Sequence, residues 1–251
     1  MSNRWLFLVL LAPSIAAPQS RPIVDRGLPK AHLNNDAGPL RSNVRWSWYR
    51  DGFIGDDFTI GAPGERWVIE KIRTWAVPGI PELDPENLGD IYQDVRLYFG
   101  ATDGDLTPIV AGRFDPSSSQ TDNSEIAITD ATQDGVLPYD DFGHSLHVWQ
   151  IDFTTPKLMV EGGVKYRFGV WGLGRPNPDR ESRPYAWFNH GSNALVSDSA
   201  QDSADHLLLM FDPAGKFKGS FDANGSGWDK SADINIQVFG HKLPGKTPAD
   251  R

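Results

Sequence analysis

The chain of 251 residues contains no cysteine. Disulfides, thiol nucleophiles and thiolate metal sites are thereby excluded, and the fold has to be held by burial alone. Long apolar runs are missing as well. The run from Trp5 to Ala12 falls far short of the roughly 20 residues of a membrane-spanning helix, and no later segment approaches that length. No stretch of ten or more residues carries a capped 3.6-residue period, which argues against helical bundles and α/β units. Basic residues are few, 24 against 33 acids, for a formal net charge of −9. Such a field repels polyphosphates and anionic headgroups, so neither nucleic acid nor a membrane surface is an expected partner.

What is present at the start reads as an export signal. Arg4 precedes the apolar run, and Ser14 and Ala16 supply the small residues at the −3 and −1 positions of a cleavage site. Residues 1–16 are therefore expected to be removed and the protein secreted, to the periplasm or beyond. Loss of Arg4 takes the net charge to −10, and with no cysteine after the cleavage site a lipid anchor is not expected. The remaining 235 residues suit one large β-domain.

Residues 17–43 are polar and broken by Pro and Gly, and read as an extended segment draped over the domain. From Val44 to Gly240 the chain alternates. Val95, Leu97 and Phe99 alternate with Asp94, Arg96 and Tyr98; Phe168 and Val170 alternate with Arg167 and Gly169; Ile234, Ile236 and Val238 alternate with Asp233, Asn235 and Gln237. A period of two places one face on a core and one in water. Further strands are expected over 44–50, 53–60, 66–76, 107–114, 125–129, 146–153, 185–189 and 205–211. Apolar parity slips between Ile69 and Ile72, which predicts a bulge at Glu70 or Lys71. Leu207 to Phe211 is apolar throughout and predicts a strand covered on both faces. The fold class that follows is an all-β antiparallel sandwich, jelly-roll-like, of about eleven strands, ending in a flexible tail from His241 to Arg251. Long connections are expected over 77–93, 115–145 and 174–184, where function usually resides in such scaffolds.

Three stretches carry a family resemblance: Gly55-Asp56-Asp57-Phe58-Thr59-Ile60 with Trp67-Val68-Ile69, Asp94 to Phe99, and Trp228 with Ala232 to Gly240. Together they resemble the exported bacterial β-sandwich proteins often found with a PEP-CTERM sorting tail. The end of this chain, Lys242 to Arg251, has neither the Pro-Glu-Pro signal nor the apolar helix of that tail. The resemblance implies a sandwich and no catalytic residues.

Several constellations bear on chemistry. Asp222, Asn224, Ser226 and Asp233 stand at positions 1, 3, 5 and 12 of a calcium-loop spacing with a glycine at position 6, so structural calcium is one reading. A hairpin loop around Asn224-Gly225 is the other. His144 and His147 are three apart, where one strand face presents ligands two apart, and Ser145 lacks the second glycine of a nucleophile elbow. The pairs Asp56/Asp57 and Asp140/Asp141 point to opposite strand faces and read as solvated surface acids. Arg175, Arg180 and Arg183 fall just before Tyr185 and Trp187. Guanidinium forks clamp carboxylates or sulfates and flat rings stack on sugars, which makes this segment the candidate ligand site. Alternatively the tryptophans fill the core and the arginines pair with Asp179 and Glu181.

The sequence therefore predicts a secreted, monomeric binding module for an extracellular ligand, a glycan first. Two alternatives stay open. One is a polysaccharide lyase or hydrolase built from His147, Arg167, Tyr185 and His190; the other is a structural surface or matrix protein.

Overall fold

A computed structural model describes residues 21–28, 44–46, 52–76, 86–101, 104–131, 139–141, 144–178, 184–190, 207–222 and 233–245. Among them antiparallel β-structure dominates, in two packed sheets. The first sheet has seven strands. Its path runs β1 (Val24–Asp25), β15 (Ile236–Lys242), β4 (Arg66–Ala76), β10 (Trp149–Glu161) and β7 (Ile126–Asp130). β12 (Phe188–His190) joins the end of β4 through Asn189 and Ala76 and carries β2 (Val44–Trp46) on its far side. The second sheet runs β14 (Phe217–Asp222), β13 (Leu207–Phe211), β3 (Phe53–Thr59), β11 (Lys165–Gly174), β5 (Tyr92–Ala101) and β6 (Thr107–Arg113). A separate hairpin pairs β8 (Tyr139–Asp141) with β9 (His144–Leu146). The one helix among the described residues is a single turn, α1 (Leu88–Ile91).

The alternating residues meet between the sheets. Ile69, Ile72, Ile151, Phe153, Ile236 and Val238 of the first sheet face Ile54, Phe58, Leu97, Phe168, Val170 and Leu208 of the second in one buried cluster. Burial of each such side chain contributes about 1.5–3 kcal/mol, which is how a cysteine-free chain holds together. A second, smaller core lies on the outer face of the six-stranded sheet and gathers Phe53, Tyr98, Leu106, Trp171, Leu209 and Phe211. The turn between β13 and β14 folds over it. Tyr98 Oη donates to Pro213 O at 3.0 Å, and Leu106 N donates to Gly215 O at 2.7 Å. Glycine in the sheet makes room for these rings: a Cβ on Gly169 would come within 2.4 Å of the Phe53 ring. β13 is thus covered on both faces, with Leu208 in the main core and Leu209 and Phe211 in the second.

The bulge predicted in β4 falls at Glu70. Consecutive residues Phe239 and Gly240 of β15 pair with Lys71 and Ile69, which leaves Glu70 as the extra residue. On the other side β10 breaks register between Thr154 and Leu158, where Thr155 Oγ1 donates to Ile69 O at 2.9 Å and Lys157 adopts a φ of 40°. The stretch 17–43 is in part a built element: residues 21–28 dock along β15, with Val24 opposite Val238 and Asp25 opposite Gln237.

Candidate functional site

Strand parity decides which expected site residues face a ligand and which face the core. Phe168 and Val170 point inward, so Arg167 points outward, opposite Asp57 in register and with its guanidinium 4.5 Å over the Phe217 ring. His190 is buried on β12 of the other sheet. The core therefore lies between two members of the expected catalytic set. His147 sits between β9 and β10, 3.7 Å from Asp130 and 5.9 Å from the Trp149 ring. Tyr185 is half-buried beside the main core. These four residues occupy two sheets and their margins, and the described structure does not assemble them into one site.

The expected ligand segment divides in two. Trp187 is only 1% exposed: its ring packs at 4.8 Å, edge on, against Tyr92, and its Nε1 donates to Asn189 Oδ1 at 3.0 Å. A Cβ on Gly172 would stand 2.0 Å from this indole, so the glycine makes room for it. A stacking role for Trp187 is thereby corrected: the ring belongs to the core. Arg175 has a different setting. Its backbone N donates to Ile91 O at 2.7 Å, its Nε donates to Gly89 O at 2.8 Å, and its carbonyl accepts Tyr185 N at 3.0 Å. Pro176 and Pro184 then form a further antiparallel bridge. The two arms of the 174–184 connection are therefore pinned together at their base. The Nε contact fixes the guanidinium plane and leaves its terminal nitrogens for a further acceptor. Arg180 and Arg183 lie outside the described residues.

The Asp56/Asp57 pair also needs correction, because neither residue is solvated. Asp56 shares the inward phase of Ile54 and Phe58 and is 1% exposed. Its Oδ2 accepts Arg26 Nη1 at 2.7 Å and Ile234 N at 2.6 Å, and its Oδ1 accepts Asp57 N at 2.7 Å. Arg26 completes its fork on Ile234 O at 2.8 Å and Asp57 O at 2.6 Å. Burial pushes the Asp56 carboxyl well above the usual carboxylate range, against the pull of Arg26, and the neighbouring charges of Asp233 and Asp57 push the same way. Asp57 faces outward to Lys165, 3.3 Å away. Nothing in composition marks this nest. The signal that could have found it is phase: a carboxylate in step with Ile54 and Phe58, and an arginine two residues after a buried valine.

Of the calcium spacing, Asn224 and Ser226 lie outside the described residues, and Asp222 ends β14. Asp233 is fully buried and close enough to Asp56 to raise its pKa. Among the described residues no group of three or more His, Asp or Glu side chains is placed to hold a metal ion, and no helix is long and apolar enough to cross a membrane. No protein family, curated protein or solved structure is found to match this chain.

Proposed function

We propose that the protein is an exported sandwich module that binds an extracellular acidic glycan through the loop between β11 and β12. The observation that carries this reading is the clamped base of that loop. Arg175 is fixed by the Gly89 carbonyl, and Tyr185 is tied back to Arg175, so the connection whose sequence carries three arginines in an acidic chain begins and ends at a rigid stem. A guanidinium fork held like that of Arg175 recognises carboxylates and sulfates bidentately and loses little entropy in doing so. Trp187 supports the stem from beneath and makes no ligand contact in this reading.

The test is a glycan array carrying uronate-containing, sulfated and neutral oligosaccharides, followed by titration of the best binder. Arg175→Ala, Arg180→Ala and Arg183→Ala should each weaken binding, and added salt should weaken it further because the contacts join opposite charges. Equal binding of neutral and acidic glycans, or arginine variants that bind as well as the parent, would overturn the assignment. Appearance of unsaturated or newly reducing ends during the titration would move the protein to the polysaccharide-active enzymes.

A further inference from the structure

Residues 21–28 are held almost wholly by residues remote in sequence, in the manner of a bound peptide. Ile23 N donates to Val238 O at 2.7 Å, and Arg26 N donates to Ile236 O at 3.1 Å. Val24 enters the main core, Gln237 Nε2 donates to Asp25 Oδ1 at 3.0 Å, and the Arg26 guanidinium donates to oxygens of Asp56, Asp57 and Ile234. These are the parts of strand addition at a sheet edge: main-chain bonds supply affinity, and pockets for alternate side chains supply specificity. Val24 fills an apolar pocket, Asp25 points the other way, and Arg26 fills a pocket floored by a carboxylate.

Parts of the receiving site are held by residues outside the arm. Asp56 is held by the N–H groups of Ile234 and Asp57, and the edge offered to β1 is the free side of β15, whose other side is on β4. With the arm withdrawn, Asp56 would lose the guanidinium that meets it at 2.7 Å, and the Ile234 and Asp57 carbonyls would lose the donors that the same fork supplies, which gives the site a preference for a guanidinium. We propose that the β15 edge and the Asp56 pocket form a binding site for an extended apolar-x-Arg segment, filled in cis by Val24-Asp25-Arg26 and open in trans to the same segment of a second copy of this chain. The inference is independent of the loop reading.

The experiment uses the full chain with a specific protease site placed between positions 29 and 43. After cleavage in the folded state the arm should remain with the domain on gel filtration. Excess labelled peptide covering residues 20–28 should displace it in a saturable way, without loss of the domain's tertiary circular dichroism. The same peptide carrying Arg26→Ala should bind at least about 30-fold more weakly, the factor expected when one partner of a buried charge pair is removed. Each of three results would overturn the proposal. The cut arm could leave at once with no change in melting temperature. Exchange could proceed only at the rate of global unfolding, read from amide exchange of the core strands. The Arg26→Ala peptide could bind as tightly as the parent.

Discussion

Two arginine–aspartate pairs sit on opposite sides of the seven-stranded sheet and have similar lengths. Arg26 meets Asp56 at 2.7 Å between the sheets, with side chains 0% and 1% exposed. Arg73 meets Asp152 at 2.6 Å on the outer face, with side chains 23% and 16% exposed. The second pair is geometrically richer, since Arg73 Nη2 adds a bond of 2.8 Å to the other carboxylate oxygen, Lys71 joins at 3.1 Å, and both cations lie over the Phe239 ring. Geometry is therefore a poor guide to what each pair does. On the outer face water can replace any partner that is removed. Between the sheets it cannot, and the inner pair gains its importance from what its breakage leaves behind.

The largest expected effect is the loss of the inner cation. Arg26→Ala should destabilise the protein by about 3–5 kcal/mol, because a carboxylate is left without its partner in the core; denaturant titration measures it. That loss should itself depend on pH. The native Asp56 carboxyl lies above its usual value of 3.8, so the native state holds this proton more tightly than the unfolded chain does. Its contribution to stability is full below that usual value and is lost as the pH rises through the native one. Without Arg26 the carboxyl rises further, and Arg26→Ala should be better tolerated near pH 5 than near pH 8. In the same melts Asp56→Asn should flatten the difference. A penalty for Arg26→Ala that is the same at both pH values would show that Asp56 is not the group left stranded.

A smaller change is expected when both inner partners go together. Arg26→Met with Asp56→Leu should recover only part of the loss seen for Arg26→Ala alone, since neither charge of the pair is left unpaired in the core but the Ile234 and Asp57 backbone groups lose their partners. The smallest effect belongs to the outer face: Asp152→Ala should cost less than about 1 kcal/mol and fade with salt. If Asp152→Ala proves as costly as Arg26→Ala, burial is not what separates the two pairs.

The eleven strands expected from alternation each have a counterpart in the structure, because a sandwich strand writes its two faces directly into residue parity. The elements that escaped did so for reasons of length or composition. β1 is two residues between Pro22 and Gly27, too short to show a period. β14, Phe-Lys-Gly-Ser-Phe-Asp, interrupts its alternation with a glycine. Parity also explains the error at Asp56. Residue type alone assigns an acid to solvent, whereas its phase with Ile54 and Phe58 aims Asp56 inward. Trp187 shows the converse limit, since a tryptophan near arginines reads equally as platform or core until a glycine is found facing it. The loop base at Arg175 was invisible because it depends on a backbone carbonyl at Gly89, and carbonyls carry no sequence signature.

Pairing of β1 with β15 also fixes an order of events in time. A chain is made from its N-terminus, so Val24 and Arg26 exist long before Ile236 and Val238, the strand they must join. At ordinary synthesis rates the wait is on the order of 10–40 s. Throughout it the closing contact, one of the longest in sequence that this chain makes, has no partner to form with. A chain stopped short of Ile234 would lack one strand and the berth of another, so its arm would hang undocked and open to proteolysis. Docking of the first strand is in effect a check that the last has arrived.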